Sequence, residues 1–246
     1  MWVGPDNTRN DIIKKFPNNL IISLPQSINY RNKKNLEFDQ NLFSQVKKKL
    51  VLLSRTFEGY DFLKENFINK TNNNNDKIHV EFVPDMAFMI GPVALKSSRI
   101  LYDILFLKRD DHESNIAFDK DFVLNEINLI LGNKYSYLLI DWQNYNKHLK
   151  TISDYTNLNK TLFAKFEYTK EIFSTVRLVI TDRLHASIFS VLVGKPHIII
   201  DDKYKKISQT RDAAFFNKPE CSSANLQAYY ATNITDAFQL AVKILS

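Results

Sequence analysis

The sequence predicts an α/β protein that forms two doubly wound lobes, each a parallel sheet covered by helices. Short apolar runs of strand length alternate with segments of helical periodicity along the whole chain, a pattern typical of parallel sheets. The 246 residues are 44% hydrophobic, with only five glycines and seven prolines, which is typical of an ordered globular protein. Because a weakly patterned stretch at 91–99 separates the runs into two groups, we place a boundary near residue 98, between lobes 1–98 and 99–246.

Strands are predicted where short runs are mainly apolar, because a strand that is covered on both faces needs no polar side. These runs lie at 20–24, 50–54, 79–83, 103–108, 137–141, 177–181 and 197–201. Helices are predicted where apolar residues recur three and four positions apart. Those segments lie at 42–49, 59–67, 122–131, 159–173, 182–193 and 235–245. Gly194 follows the fifth of them, at the position where glycine commonly ends a helix.

Composition excludes several classes of protein. The 33 basic and 27 acidic residues give a net charge of +6, which suits an anionic ligand. The basic residues form no recognition-helix pattern, so we predict no nucleic-acid partner. No apolar run approaches the ~20 residues that cross a bilayer, so no membrane segment is predicted. A single cysteine, Cys221, excludes an internal disulfide, and no cysteine and histidine grouping has the spacing of a zinc site.

Polar residues that directly follow the predicted strands are the candidates for a functional site, because open parallel sheets bind ligands beyond the carboxyl ends of their strands. Asp or Arg occupies these positions at Arg55, Asp85, Arg109, Asp182 and Asp201. The alternative interpretation is that such residues only end strands and cap helices.

The segment 181–187, Thr-Asp-Arg-Leu-His-Ala-Ser, has the most specific chemistry. It links a predicted strand to a predicted helix, where free backbone N–H groups and the helix dipole favour a phosphate or carboxylate. Arg183 adds a planar fork that matches either anion, and His185 adds a group that exchanges protons near neutral pH. The segment therefore predicts an anion site with an acid or base.

Two alternatives stay open for this segment. His185 lies three residues before Ile188 on an apolar stripe, so a buried core histidine fits the spacing equally well. Asp182 is placed to be the N-cap of the helix, which is the commoner role of Asp at a helix start, and Thr181 is a competing cap.

The N-terminal lobe offers a second arginine, Arg55, in the same strand-to-helix position. Its alternative role is a surface ion pair with Glu58, three residues on. Gln26 and Ser27 follow the first strand, and Asp85 follows the third; each either lines a cleft or forms a turn. The sequence holds no glycine-rich phosphate loop, so a dinucleotide or nucleoside triphosphate site of the usual kinds is disfavoured.

Taken in order along the chain, these segments resemble the polysaccharide pyruvyl transferase family. Thr181–Ala186, with its Asp-Arg-Leu-His sequence, is the most specific of them. The matching pieces are 24–30, 53–55 with Tyr60, 83–88, 105–113, 181–186, and 192–197 leading to 201–206.

The resemblance implies a fold similar to that of GT-B glycosyltransferases, with the acceptor on the N-terminal lobe and the donor on the C-terminal lobe. It implies an enzyme that transfers pyruvate from phosphoenolpyruvate onto hydroxyls of a glycan or polysaccharide to give a pyruvate ketal, as in exopolysaccharide biosynthesis. The partners it implies are phosphoenolpyruvate, as donor substrate, and the glycan acceptor, and it implies no separate cofactor or metal.

The resemblance also assigns roles to individual residues. The catalytic pair is Arg183 and His185, and the donor is bound by Arg55, Arg183, Leu184, His185 and Lys206. Gln26, Ser27, Asp85, Asp182 and Tyr204 are not assigned by the resemblance; their positions after the predicted strands make them candidates to line the acceptor site or the cleft. Asp202 and Lys205 stand where the family has Asn and Gly, and the second change matters because glycine adopts backbone conformations that lysine resists.

A second departure concerns the start of the chain. Family members begin with a strand and a Gly-Asn-x-Gly-Asp-x-Trp segment, and this chain enters near the last residue of that segment, Trp2. We therefore expect an N-terminal lobe that lacks its first part. Two other functions stay open: a GT-B-like glycosyltransferase that uses a nucleotide sugar, and an inactive, glycan-binding relative. The sequence leaves localisation open, with the Golgi lumen expected if a eukaryotic chain carries an anchor in the missing part, and the cytoplasm otherwise.

Overall fold

The computed structural model describes residues 7–30, 32–69, 76–96, 99–109, 120–141, 158–201, 205–215 and 226–246. The chain divides into two compact units. Unit 1 comprises 1–89 with 209–216, and unit 2 comprises 90–208 with 217–246. The return of 209–216 to the first unit has no signal in the sequence pattern, which divides the chain only once.

Unit 1 contains a parallel sheet in which the described strands follow the order β1-β2-β3. The strands are β1 (Leu20–Gln26), β2 (Lys49–Ser54) and β3 (Ile78–Phe82), and the helices are α1 (Asn7–Lys15), α2 (Lys33–Phe43) and α3 (Phe57–Lys64). A π-helical turn, Glu65–Asn69, continues α3, and a 3₁₀ helix, Met86–Ile90, follows β3. Leu50 and Leu52 of β2 are each 1% exposed and belong to the core of this unit together with residues of all three helices.

Unit 2 contains a second parallel sheet, with the order β5-β4-β6-β7-β8 in the part of the chain that the structure describes. The strands are β4 (Tyr102–Lys108), β5 (Tyr137–Asp141), β6 (Val176–Thr181), β7 (His197–Ile200) and β8 (Ala228–Ala231). The helices are α4 (Lys120–Ile130), α5 (Leu158–Ser174), α6 (Leu184–Leu192), α7 (Lys206–Ala214) and α8 (Ile234–Leu245). Helix α7 begins in this unit, and its residues from 209 onward belong to unit 1.

The alternation of side chains along β4 explains why helices cover both faces of the second sheet. Ile104 and Phe106 pack in one cluster with α4 and α8, whereas Leu105 and Leu107 pack in another with α5 and α6. Successive side chains of a strand point to opposite faces, so a continuous apolar run fills both layers. The predicted α/β class with parallel, doubly covered sheets is confirmed.

The structure corrects the prediction at several elements, including α1 and α7, which were not predicted. The helix predicted at 42–49 is wrong: α2 ends at Phe43, and β2 begins at Lys49. Leu42, Phe43 and Val46 are all buried, and their helical spacing in the sequence reflects the last turn of α2 and the turn that follows it. Strand β8 was not predicted, because its run of four residues, Ala-Tyr-Tyr-Ala, is too short to stand out.

Gly194 ends α6 as predicted. The N–H of Gly194 donates to the Val191 carbonyl at 3.1 Å, and the N–H of Lys195 donates to the Ser190 carbonyl at 2.8 Å. This pair of bonds is the Schellman arrangement, which needs a left-handed residue at the glycine position. Gly194 has φ of 65°, so only a residue without a side chain adopts this turn at little cost.

A polar cluster closes the amino-terminal edge of the second sheet. Asp103 of β4 accepts hydrogen bonds from the Ser136 backbone N–H at 2.9 Å and from Arg177 Nη1 at 3.0 Å. Arg177 also donates to the Leu245 carbonyl at 3.3 Å. Burial by itself would raise the pKa of Asp103, but the hydrogen bonds from Ser136 and Arg177 outweigh it and hold the pKa below its ordinary value.

We expect this cluster to make stability depend on pH. Because the carboxylate is favoured in the folded state, its contribution is present above the unfolded pKa near 3.8 and is lost as pH falls through the lower folded pKa. Asp103→Asn should lower the free energy of unfolding at pH 7 by at most about 1 kcal/mol. The difference from wild type, measured by urea unfolding, should shrink as pH falls below the unfolded value.

The matched control is Asp76→Asn, which changes an exposed carboxylate of unit 1. It should leave the free energy of unfolding unchanged at pH 7 and at pH 3. A deficit in Asp103→Asn that persists undiminished at pH 3 would contradict a charge-based role.

Candidate active site

The same hydrogen-bonded turn occurs once in each unit, where a strand ends and a helix begins. Strand β2 ends at Ser54 and α3 begins three residues on, and β6 ends at Thr181 and α6 begins three residues on. In each case the hydroxyl that ends the strand accepts a hydrogen bond from the backbone N–H two residues later, Thr56 at 3.3 Å and Arg183 at 3.0 Å. Such local bonds fix the turn, and each turn carries an arginine, Arg55 or Arg183.

In unit 2 hydrogen bonds join the carboxyl end of β6 to the carboxyl end of the neighbouring strand β4. The Thr181 hydroxyl donates to the Leu107 carbonyl at 2.7 Å, and Asp182 Oδ1 accepts the backbone N–H of Arg109 at 2.6 Å. Thr181 and Asp182 are 0% and 1% exposed. The interpretation of Asp182 as the helix N-cap is therefore wrong: its carboxylate binds the adjacent strand exit, and the N-cap position is Arg183.

The first residues of α6 place two polar side chains at the amino-terminal end of a helix. Arg183 is half-buried at the N-cap, His185 is exposed in the first turn, and Leu184 between them is buried at 8% exposure. The core-histidine interpretation of His185 is wrong, because His185 is exposed, whereas His197 is buried at 0% exposure. The helix dipole favours anions at this end, so the arrangement joins an arginine, a histidine and an anion-binding helix terminus.

The exit of the next strand, β7, contributes a second helix start. Asp201 accepts hydrogen bonds from the backbone N–H of Ile207 at 3.1 Å and of Ser208 at 3.3 Å, so it caps α7. Lys206, the first residue of α7, is buried at 8% exposure. Because β7 pairs with β6 in parallel, Lys206 and Arg183 follow neighbouring strands at the same edge of the sheet.

Lys205 has a left-handed backbone conformation, at the position where the resemblance to the family implies a glycine. Its φ is 51°, in the region where a side chain meets steric conflict. Lysine thus adopts here a conformation that glycine adopts at lower cost. Asp202 and Tyr204 lie outside the described residues, and the role predicted for Tyr204 stays a prediction.

In unit 1 three predicted site residues meet at the carboxyl edge of the sheet. Arg55 Nε donates to Ser27 Oγ at 3.1 Å, and Arg55 Nη1 donates to Asp85 Oδ2 at 2.5 Å. Asp85 Oδ1 accepts the Ala87 N–H at 2.9 Å, so this carboxylate also caps the 3₁₀ helix. The ion pair proposed between Arg55 and Glu58 is wrong, because the carboxylate that pairs with Arg55 is Asp85.

The backbone around Arg55 is also held tightly. The Arg55 N–H donates to the Gln26 carbonyl at 3.3 Å, and Gln26 itself is half-buried, with Nε2 donating to Ser23 at 2.9 Å. A Cβ at Gly59 would lie within 3 Å of both the Ser54 and Thr56 hydroxyl oxygens. The first turn of α3 therefore packs against the Ser54–Thr56 turn at a distance that only glycine permits.

Two features are absent from the described part of the chain, a metal-binding cluster and a membrane-spanning helix. The described part of the chain contains no group of three or more His, Cys, Asp or Glu residues arranged to hold a metal ion. None of its helices is both long enough and apolar enough to cross a membrane.

Comparison with known proteins identifies the family of this chain. The family model of the polysaccharide pyruvyl transferases matches residues 1–204. The chain belongs to the polysaccharide pyruvyl transferase family. This match spans the strand exits of both units, and the predicted family membership is confirmed.

The curated relatives include proteins from yeast and bacteria. Pyruvyl transferase 1 of Schizosaccharomyces pombe is 29% identical over 205 residues, covering 82% of this chain and 48% of the relative. Putative pyruvyl transferase EpsO of Bacillus subtilis is 28% identical over 80% of this chain and 60% of the relative. General stress protein 30 of the same bacterium is 26% identical, over 84% of this chain and 55% of the relative. The chain thus spans about half the length of the curated relatives that it matches.

One solved structure supports the fold. A crystal structure of an uncharacterised protein from Klebsiella pneumoniae superimposes with a TM-score of 0.51 at 16% identity, covering 91% of this chain and 68% of the other. The similarity is one of fold alone. It agrees with the Rossmann-like parallel sheets described above.

Two features of this pyruvyl transferase family member had weak signals in its sequence. Lys108, at the end of β4, is buried at 2% exposure and donates to the Arg109 carbonyl at 2.8 Å; a lysine that closes an apolar run is the only sign of it. The pairing of Arg55 with Asp85 joins residues 30 positions apart, and only the shared position after neighbouring strands could have indicated it.

We expect Lys205→Gly to stabilise the protein. A non-glycine residue in the left-handed region costs roughly 1–2 kcal/mol, and glycine removes that cost while adding some conformational entropy to the unfolded chain. The free energy of unfolding, measured by urea titration, should rise by up to about 1 kcal/mol. Lys205→Ala is the control, since it removes the charge but keeps the Cβ. An equal gain in both variants would assign the effect to charge and contradict the backbone explanation.

Proposed function

We propose that this chain is a pyruvyl transferase that moves pyruvate from phosphoenolpyruvate to two hydroxyls of a sugar in a glycan, giving a cyclic pyruvate ketal. The observation that carries the proposal is the Arg183-Leu184-His185 turn at the amino-terminal end of α6, in a chain of this family. Phosphoenolpyruvate is a substrate in this proposal, and no separate cofactor is assigned.

The donor has two anionic groups, a phosphate and a carboxylate, and the proposed site supplies matching positive groups. In unit 2 these are Arg183, Lys206 and the N–H groups that begin α6. Arginine binds such anions with a planar fork, and a helix N-terminus adds oriented dipoles. We assign Arg55 of unit 1 to the donor as well. These positive groups would stabilise the charge that develops as phosphate leaves.

The proposed reaction needs one residue that moves protons, and we assign that role to His185. The CH₂ carbon of the donor gains a proton from the imidazolium, and a sugar hydroxyl adds to the neighbouring carbon, forming the first C–O bond. The bond from that carbon to the phosphate oxygen breaks, and a second hydroxyl forms the second C–O bond. One hydroxyl proton ends on the new methyl group and the other on the phosphate, with His185 as the relay.

Five residues are proposed to line the acceptor site or the cleft, and most of them are buried or lie outside the described residues. Gln26 is half-buried at the exit of β1, and Tyr204 lies outside the described residues. Ser27, Asp85 and Asp182 are buried at 7%, 4% and 1% exposure and hydrogen-bond within the protein. Their assignment as acceptor-lining or cleft-lining residues stays a prediction.

The decisive experiment measures phosphate release from phosphoenolpyruvate by the purified chain, with and without a panel of galactosides and N-acetylhexosamines. We expect acceptor-dependent release in wild type and a loss of roughly 10²–10⁴-fold in kcat for His185→Ala, since general acid–base catalysis contributes about that much. His79→Ala, in β3 of unit 1, is the matched control and should retain activity. Full activity in His185→Ala would refute the proton-transfer role.

A thermal shift experiment separates this function from its competitors. Phosphoenolpyruvate should raise the melting temperature of wild type, because a ligand that binds only the folded state stabilises it. Stabilisation by a nucleotide sugar instead would favour a glycosyltransferase. Binding of a glycan with no phosphate release would indicate a glycan-binding protein without this activity.

A further inference from the structure

Arg55 is buried and paired with a buried carboxylate, that of Asp85. The Arg55 side chain is 14% exposed, and the Asp85 side chain that pairs with it is 6% exposed. Fixing a long side chain such as arginine in one rotamer costs up to about 2 kcal/mol of conformational entropy. An arginine that is already fixed by neighbouring residues does not lose this entropy when it binds a ligand. Arg55 has such neighbours.

Two of the three guanidinium nitrogens are engaged within unit 1. Nε donates to Ser27 and Nη1 donates to Asp85. Among the described residues, Nη2 has no acceptor. Because the guanidinium is planar, two bonds at different nitrogens set the plane and the rotation of the whole group, and thereby set the direction of Nη2.

Asp85 is itself fixed, so it holds Arg55 against a rigid support. Its Oδ1 accepts the Ala87 N–H at the start of the 3₁₀ helix, and its Oδ2 accepts from Arg55. With both oxygens engaged and only 4% of the residue exposed, Asp85 is poorly placed to act as a base on a substrate. Its chemistry fits a restraint on a neighbouring cation.

We infer that Asp85 is a positioning residue that, with Ser27, orients the Arg55 guanidinium so that Nη2 receives an anionic group of the donor. The inference rests on the proposed function for the identity of the donor. Asp85 then acts through Arg55 and touches neither substrate, which differs from the cleft-lining role assigned to it from the sequence.

The variants separate positioning from helix capping. Asp85→Ala removes both interactions. Asp85→Ser keeps a short hydroxyl that can cap the 3₁₀ helix but is too short to reach Arg55. Asp85→Asn keeps one acceptor oxygen, which can receive either Arg55 or the Ala87 N–H, and loses the charge. If Asp85 positions Arg55, Ser should resemble Ala, and Asn should restore part of the wild-type behaviour; if Asp85 only caps the helix, Ser should resemble wild type.

The first measurement needs no substrate. In a ¹H–¹⁵N NMR spectrum of the arginine Nε–H groups, the Arg55 signal is assigned by its disappearance in Arg55→Lys. We expect slow exchange of this proton with water in wild type, and exchange faster by at least about tenfold in Asp85→Ala and Asp85→Ser. An unchanged Arg55 signal and exchange rate in both variants would overturn the inference.

The second measurement is the KM for phosphoenolpyruvate in the phosphate-release assay. We expect Asp85→Ala and Asp85→Ser to raise KM by about tenfold, the effect of one weakened charged hydrogen bond, with a smaller change in kcat and partial recovery in Asp85→Asn. Faster exchange at Arg55 with an unchanged KM would overturn the link to the donor. An inactive wild type would refute the proposed function, while the NMR result would still decide whether Asp85 fixes Arg55.

Discussion

Two hydrogen bonds at the carboxyl ends of β4 and β6 are the constraint on which the arrangement of unit 2 depends. Thr181 donates to the Leu107 carbonyl and Asp182 accepts the N–H of Arg109, which joins residues 74 and 73 positions apart in the chain. Because these two strands are neighbours in the sheet, the bonds fix where β6 stops and where α6 starts. Arg183 and His185 follow immediately, so their placement is set by the sheet and not by their own contacts alone.

The hydrophobic core makes this edge a rigid support. Ile104, Leu178, Ile180 and Ile198 are all 0% exposed in the layer covered by α4 and α8, and such close packing leaves little freedom to the strands. Unit 1 differs, since the side chains on one face of β1, the edge strand among the described residues, are exposed, with Ile22 at 52%. An apolar groove of about 360 Å³ lies beside this strand and is lined by residues of α1, β1, α2 and β2. An apolar edge of this kind is a surface that native proteins usually cover.

The two candidate arginines, one in each unit, have different electrostatic surroundings. Arg55 sits beside Asp85 in a pair that is almost completely buried, so its charge is balanced and its geometry is restricted. A buried pair contributes orientation more dependably than stability, because desolvation offsets much of the attraction. Arg183 instead occupies the N-cap of α6, where the helix dipole adds to its positive field. The net charge of +6 of the chain therefore says little about either site.

The sequence by itself determined the local features: the apolar runs that became seven of the eight described strands, the glycine that ends α6, and the Arg-Leu-His turn at a strand exit. These follow from periodicity and turn chemistry, which operate over a few residues. Only the tertiary structure decided that Asp182 binds the β4 exit, that His185 is exposed while His197 is buried, and that Arg55 pairs with Asp85. Those outcomes depend on which strands become neighbours and which helix face meets the sheet, and residues tens of positions apart carry no local signal of that choice.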